Sequence, residues 1–138
     1  MIKEFKILLV EDDAIEIMKL RRTMESLNLP HNIIEANNGE EALESLQDPK
    51  ELPDLILLDL NMPKMNGIEF LNLLKGIEDL KLIPTIILTT SGNHKDILTC
   101  YRLGISGYIT KPTKYTDYLE KLRSLFEYWN FNELTKAS

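Results

Sequence analysis

The sequence is poor in the residues that form disulfides and zinc sites, because it has one cysteine, Cys100, and two histidines in 138 residues. A lone cysteine excludes an intrachain disulfide, and one thiol with two imidazoles gives no zinc-binding spacing. Basic residues are also outnumbered: the sequence has 16 lysines and arginines and 22 aspartates and glutamates, which gives a formal net charge of −6. That charge disfavours non-specific binding to nucleic acid or to an anionic membrane surface.

The amino-terminal segment lacks a long apolar run. In "MIKEFKILLVEDD" the longest apolar run has four residues before acids follow, which is too short for a signal peptide or a transmembrane helix. We find no internal repeat, low-complexity tract or linker, and 138 residues suit one domain. We therefore expect a cytoplasmic protein in which residues 1–134 form the domain and residues 135–138 are a frayed tail.

Five short apolar runs alternate with segments of helical periodicity. The runs predict strands at residues 5–10, 32–36, 55–58, 84–89 and 107–110. The segments between and after them predict helices at residues 13–29, from 40 onward, and at 67–75, 93–103 and 114–129. Strands separated by helices pair in parallel through right-handed crossovers. The predicted fold is therefore α/β, with an open, doubly wound, five-stranded parallel sheet covered by helices on both faces.

Polar residues follow the strands at the edge where such sheets bind their ligands, beyond the carboxyl ends. Glu11 and Asp12 follow the first strand, and Asp59 follows the third. Thr89 ends the fourth strand and Lys111 follows the fifth. We expect these carboxylates, the hydroxyl and the ammonium group to meet in one crevice.

The chemistry of this set points to phosphoryl transfer. Clustered carboxylates repel one another in a partly dry site, and oxygen ligands without His or Cys suit a hard cation such as Mg²⁺. A lysine supplies a point charge for phosphate oxygens, and an aspartate can act as a nucleophile and become an aspartyl phosphate. Phosphoryl transfer needs mainly positioning and charge neutralisation, and these residues supply both.

Four motifs carry a resemblance to a known family: "LLVEDD" (8–13), "LLDLNMPKMNG" (57–67), "ILTTSG" (87–92) and "GYITKP" (107–112). With these motifs in this order, the chain resembles the receiver domains of two-component response regulators, the CheY-like superfamily, over nearly its whole length. The resemblance implies a flavodoxin-like (βα)₅ fold with strand order 2-1-3-4-5. It also implies a stand-alone phosphorelay protein that is not an enzyme beyond Mg²⁺-dependent self-phosphorylation and slow autodephosphorylation.

The resemblance also implies a phosphoacceptor and a metal site. Asp59 matches the residue that accepts the phosphoryl group from a sensor histidine kinase or a phosphotransfer protein. Glu11 and Asp12 match the acidic pair that, with Asp59 and the backbone carbonyl of Asn61, holds Mg²⁺ or Mn²⁺. Many members have aspartate where this chain has Glu11, which is a tolerated variation.

Further matches concern the phosphoryl contacts and the switch. Thr89 and Lys111 match the hydroxyl and the ammonium group that contact the phosphoryl oxygens. Pro112 matches a proline that follows a cis peptide. Tyr108 matches the aromatic switch residue, and we predict that its ring turns inward when Thr89 moves toward the phosphoryl group.

Three alternatives stand beside this interpretation. A dehalogenase-type enzyme also uses an aspartate at a strand end, but it needs a second aspartate where this chain has Asn61. An FMN-binding protein is suggested by "TTSGN" (89–93), but its phosphate loop would follow the first strand, where acids stand here. A receiver-like module that only binds partners is disfavoured because the site is complete.

Several residues also have plain structural interpretations. Asp13 is surplus to a metal pair, and we interpret it as an acid at a helix amino terminus. His31 and His94 are interpreted as surface residues, and Cys100 as a small buried hydrophobe. The alternative interpretation of Tyr108 is that it is part of the core.

The carboxyl-terminal part is rich in aromatic residues, since eight of the ten lie after residue 100. The last helix presents a predicted sheet-facing stripe made of Tyr115, Tyr118, Leu119, Leu122, Leu125, Phe126 and Trp129. Tyr128 and Phe131 fall outside it. They either fold back over the edge of the core or join the fourth helix, fifth strand and fifth helix in a homodimer contact. The aromatic end "FEYWNFNEL" (126–134) resembles small regulators of phytochrome-type kinases.

Overall fold

The computed structural model describes residues 2–135 and consists of five strands and five helices in strict alternation, with one additional 3₁₀ turn at Pro49–Glu51. The strands are β1 (Lys6–Val10), β2 (Asn32–Ala36), β3 (Leu55–Leu58), β4 (Thr85–Thr89) and β5 (Gly107–Thr110). The helices are α1 (Ala14–Ser26), α2 (Gly39–Ser45), α3 (Gly67–Lys75), α4 (His94–Arg102) and α5 (Tyr115–Asn130). Of the predicted frayed tail, only Thr135 lies within the described residues.

All five strands are parallel and pair in the order β2-β1-β3-β4-β5. This confirms the predicted doubly wound α/β fold and its strand order. The register pairs Val10 of β1 with Leu58 of β3, so the residues that follow these strands lie side by side at the carboxyl edge. No helix within residues 2–135 has the length and apolar character needed to cross a membrane.

The sheet separates two hydrophobic clusters, because successive side chains of a strand point to opposite faces. Leu8, Val10, Ile56 and Leu58 face one side and pack in the cluster that includes Phe70 and Leu71 of α3 and Cys100 of α4. Ile7, Leu9, Leu55 and Leu57 face the other side and pack with side chains of α1 and α5. The complete burial of β3 explains why its sequence is apolar throughout.

Side-chain caps mark the amino-terminal ends of α1 to α4, whereas α5 begins without one. Asp13 is the N-cap of α1, where its carboxylate accepts a hydrogen bond from the Ile15 amide at 2.9 Å. Asn66 and Glu69 form a reciprocal capping box at the start of α3. The predicted first helix was too long, because Asn28 has a left-handed φ of 54° that ends the helical segment.

The buried face of α5 is narrower than predicted. Tyr118, Leu122, Phe126 and Trp129 are buried against the sheet. Tyr115, predicted to face the sheet, is 43% exposed, because the first residue of α5 lies beside α1 with its hydroxyl 3.0 Å from Thr23 Oγ1.

The two aromatic residues outside the predicted stripe are exposed. Tyr128 is 61% exposed and Phe131 is 83% exposed. The prediction that they fold back over the edge of the core is therefore wrong.

His31 is not the surface residue that the sequence predicted. Its ring is half-buried and stacks on Phe5 with a centroid separation of 4.9 Å, and it also contacts Phe126. Its Nδ1 accepts a hydrogen bond from the Phe5 amide at 3.0 Å, and burial lowers the pKa of the imidazole. The predictions for the exposed His94 and the buried Cys100 are confirmed.

The two ends of the domain are joined by hydrogen bonds. The Lys3 amide donates to Asn130 Oδ1 at 2.8 Å, and the Lys3 ammonium donates to the Asn132 carbonyl at 2.7 Å. The segment before β1 is therefore fixed to the end of α5, at the amino edge of the sheet.

Candidate functional site

Three carboxylates meet at the carboxyl edge of the sheet. Glu11, Asp12 and Asp59 each place one oxygen within 4.8 Å of the others, and Glu11 and Asp59 are buried. Backbone hydrogen bonds fix the positions of Glu11 and Asp59: the Glu11 amide donates to the Ala36 carbonyl at 2.9 Å, and the Asp59 amide donates to the Val10 carbonyl at 3.0 Å. The adjacency predicted from the sequence is therefore present.

These carboxylates fit a hard divalent cation. Burial raises the pKa of Glu11, and the nearby charge of Asp59 raises it further. A cation placed among the three groups would remove that repulsion, and a set of carboxylate oxygens without sulfur or imidazole ligands suits Mg²⁺ or Mn²⁺.

Lys111 lies beside this cluster with its side chain only 5% exposed. Its ammonium nitrogen is 2.5 Å from Glu11 Oε1 and 3.1 Å from Glu16 Oε1. Burial alone would lower the pKa of Lys111, but the carboxylates of Glu11, Asp59 and Glu16 outweigh it and raise the pKa. Lys111 is therefore held in its charged form next to the predicted phosphoacceptor.

Glu16 belongs to this charged group, although the sequence analysis did not single it out. It lies in the first turn of α1 and also pairs with Lys19 at 3.1 Å. Burial alone would raise its pKa, but the hydrogen bond and charge of Lys111 hold the pKa below its usual value. The signal that could have found it is its position one turn into the helix that follows the acidic pair, close to the same edge.

Thr89 is the last residue of β4, and Tyr108 lies on the neighbouring strand β5. Thr89 is fully buried, and its Oγ1 accepts a hydrogen bond from the Ser91 amide at 3.4 Å. Tyr108 is half-buried, and its hydroxyl donates to the Ser91 carbonyl at 2.8 Å. Burial raises the pKa of the Tyr108 hydroxyl. Both side chains thus contact the loop that follows β4.

The loop after Asp59 is closed tightly against α3. Asn61 is exposed in this loop, and the Gly67 amide donates to the Leu60 carbonyl at 3.0 Å. A Cβ on Gly67 would lie 2.4 Å from the Asp59 carbonyl oxygen. Only glycine permits this close approach without a backbone shift.

The peptide between Lys111 and Pro112 is trans, and residues 2–135 contain no cis peptide. The cis peptide implied by the resemblance is therefore not present. The trans form is the lower-energy isomer of an X–Pro bond, and in this form Lys111 reaches Glu11 and donates its amide proton to the Thr89 carbonyl at 2.7 Å.

Comparison with known proteins identifies the family. Residues 7–123 match the family described as "Response regulator receiver domain". The chain therefore belongs to the response regulator receiver domain family, as the four motifs predicted. The dehalogenase-type and FMN-binding alternatives are wrong.

The relatives include response regulators, one of which is a phytochrome response regulator. The chain is 35% identical over 128 residues to the response regulator Rcp1 of Synechocystis sp., covering 89% of this chain and 87% of Rcp1. It superposes on the phosphorylated cyanobacterial phytochrome response regulator RcpA with a TM-score of 0.86 and 34% identity, over 96% of this chain and 99% of RcpA. The Mn²⁺-bound form of Rcp1 gives a TM-score of 0.86 at 33% identity, over 95% and 99% of the two chains. The resemblance to phytochrome-associated regulators is confirmed.

Proposed function

We propose that Asp59 accepts a phosphoryl group from a sensor histidine kinase or a phosphotransfer protein, in the presence of a divalent cation held by Glu11, Asp12 and Asp59. The observation that carries the proposal is the convergence of three carboxylates within 4.8 Å beside the buried Lys111 ammonium. The phosphorylated RcpA and the Mn²⁺-bound Rcp1 are relatives whose states match this chemistry. The Asn61 backbone carbonyl completes the proposed ligand set.

The proposed step is an in-line transfer. One carboxylate oxygen of Asp59 forms the new P–O bond while the P–N bond to the donor imidazole breaks, and the imidazole keeps the electron pair. A bound Mg²⁺ supplies neutralising charge for the carboxylates and the incoming phosphoryl oxygens. Lys111 adds a fixed positive charge, and the Thr89 hydroxyl donates a hydrogen bond to the new group.

Phosphorylation is proposed to change a surface made of α4, β5 and α5. Thr89 moving toward the phosphoryl group vacates space beside β4, and Tyr108 turns inward to fill it. In this structure the Tyr108 ring packs against the core cluster and its hydroxyl donates to the Ser91 carbonyl, so the turn is expected to change the environment of both. NMR spectra of the Tyr108 ring with and without a phosphoryl mimic test this step, and identical ring environments would contradict it.

The same surface is proposed to form a homodimer contact. Tyr128 and Phe131 are exposed, and Tyr128 lines a shallow groove with Tyr108 and Leu125. Sedimentation of the wild type and of the double variant Tyr128→Ala, Phe131→Ala tests the contact, with dimers expected only in the wild type. A wild type that stays monomeric at tens of micromolar, with and without a phosphoryl mimic, would contradict it.

The remaining parts of the proposal are the kind of partner, the cation and the location. A phytochrome-type kinase is the proposed donor, because the chain resembles the cyanobacterial phytochrome response regulator RcpA. The proposed cation is Mg²⁺, with Mn²⁺ as a substitute. The proposed location is cytoplasmic, and the proposed chemistry is limited to self-phosphorylation and slow autodephosphorylation.

The central experiment weighs the intact protein after incubation with Mg²⁺ and a small acyl phosphate. We expect the wild type to gain the mass of one phosphoryl group and Asp59→Asn to gain none. Asp79→Asn, at an exposed position, makes the same charge change away from the site and is expected to behave as the wild type. A wild type without the added mass, or an equal gain in Asp59→Asn, would contradict the proposal.

A further inference from the structure

The Lys111 ammonium group has two carboxylate partners that belong to different parts of the site. Glu11, at 2.5 Å, is a member of the three-carboxylate cluster. Glu16, at 3.1 Å, lies on α1 and is not part of that cluster. Lys111 therefore bridges the proposed metal ligands and a carboxylate outside them.

Glu11 cannot ligate a divalent cation and keep its full ion pair with Lys111 at the same time. Its side chain is 4% exposed and that of Lys111 is 5% exposed, so their interaction is poorly screened by water. A divalent cation among the carboxylates would compete with Lys111 for Glu11 and would repel the ammonium group. A buried ammonium group without an anionic partner is strongly unfavourable, so Lys111 needs a second counter-ion when the cation binds.

Glu16 has the position and the charge for that role. Its Oε1 atom already contacts Lys111, and its Oε2 atom pairs with Lys19 at 3.1 Å. The Lys19 ammonium in turn lies 4.5 Å from the centre of the Tyr118 ring, which is fully buried. Glu16 is thus fixed on the α1 side of Lys111.

We infer that Glu16 is a positioning residue that takes over the Lys111 ammonium group when a divalent cation binds, and so releases Glu11 to ligate the cation. This inference rests on the proposed metal site. It assigns to Glu16 an effect on cation affinity that operates through Lys111, in addition to the weak, salt-screened effect that any nearby negative charge has.

A double-mutant cycle measured by calorimetric titration with Mn²⁺ separates the two effects. The proteins are the wild type, Glu16→Gln, Lys111→Met and the double variant. We expect Glu16→Gln to reduce the Mn²⁺ affinity by a factor at least about three times larger in the wild type than in the Lys111→Met background, as for coupled residues in contact. If Glu16→Gln reduced the Mn²⁺ affinity by the same factor in the wild type and in Lys111→Met, or reduced it in neither, the inference would be overturned.

Matched variants control for charge and folding. Glu78→Gln removes a carboxylate from an exposed Glu–Lys pair with the same spacing as Glu16–Lys19 and is expected to leave the affinity unchanged. Glu16→Asp keeps the negative charge and is expected to restore part of the Mn²⁺ affinity that Glu16→Gln loses. An affinity no higher than that of Glu16→Gln would contradict the positioning role of Glu16. Melting curves without metal check the fold, and Lys111→Gln replaces Lys111→Met if the latter does not fold.

The outcomes also distinguish the inference from the proposed function. A wild type that takes up no Mn²⁺ would overturn the proposed metal site and this inference with it. A wild type that binds Mn²⁺ and becomes phosphorylated, but shows no coupling between Glu16 and Lys111, would overturn the inference alone.

Discussion

Replacing Gly67 with alanine tests the packing that holds the loop of Asp59 against α3. The added Cβ would lie 2.4 Å from the Asp59 carbonyl oxygen and 2.7 Å from Leu60 Cα, both of which are backbone atoms. Neither atom can rotate away, so the backbone must open by roughly 0.6 Å before the closest contact reaches even 3.0 Å. Overpacking of this kind costs about 1–3 kcal/mol of the free energy of unfolding.

The expected change is large enough to measure by thermal and urea unfolding. With an unfolding entropy of about 2.1 cal/mol/K per residue, a loss of about 1–3 kcal/mol lowers Tm by about 3–10 °C for a chain of this length. Because the clash involves the Asp59 carbonyl, we also expect a smaller yield of phosphorylated protein from the small acyl phosphate.

Two other glycines of the chain provide controls. A Cβ on Gly76, the C-cap of α3, would lie 3.5 Å from the Leu73 carbonyl, an ordinary contact, in a right-handed backbone conformation. Gly76→Ala is therefore expected to be neutral or to stabilise by about 0.4–1 kcal/mol. Gly39→Ala meets only the flexible Met65 side chain at 2.7 Å, and a smaller loss than for Gly67→Ala is expected. Equal stabilities of the Gly67 and Gly76 variants would refute the packing argument.

Three further predictions follow from the charges and the cores. Asp59→Asn is expected to abolish stabilisation by Mn²⁺, because it removes one of the three carboxylates within 4.8 Å that are proposed to hold the cation. Melting curves with and without Mn²⁺ test this, and an Mn²⁺-dependent rise in Tm as large as that of the wild type would contradict it. Burial lowers the pKa of His31 in the folded state, so near the ordinary histidine pKa of about 6.5 the unfolded chain binds more protons, and the free energy of unfolding is expected to fall as the pH decreases through that value. Urea unfolding at several pH values is expected to show a weaker pH dependence for His31→Asn, and an unchanged dependence would argue against this role. Leu71→Ala, at a fully buried site of α3, is expected to lower the free energy of unfolding by about 2–5 kcal/mol. Leu73→Ala, on the same helix but 47% exposed, is expected to stay within about 0.5 kcal/mol of the wild type in the same assay, and similar losses for the two variants would contradict the assignment of the buried face of α3.

The fold could be predicted because its signals are local. β3 has the sequence "LILL" and is buried on both faces, so a short apolar run identifies a central parallel strand without further information. The carboxyl ends of parallel strands share one edge, which is why the sequence predicts that Glu11, Asp12 and Asp59 lie together. The phosphoryl and switch roles of Thr89 and Tyr108 stay predictions.

The features that sequence reasoning missed depend on contacts between distant segments. His31 follows a proline in a loop, and only the packing of α5 brings Phe126 to its ring. Glu16 has the spacing of an ordinary solvent-facing helical acid, and its role appears only when Lys111 from the end of β5 lies beside it. Tyr115 shares the period of the buried residues of α5, but the first turn of that helix lies beside α1.

The hydrogen bonds between Lys3 and the end of α5 have a consequence for protein engineering. They hold the two ends of the domain together at the edge of the sheet opposite the carboxylate cluster. Because neighbouring ends favour circular permutation and insertion into a host loop, this domain can be grafted between two points of a host protein that lie close together. The carboxylate cluster would then face away from the graft and stay accessible to the proposed phosphoryl donor.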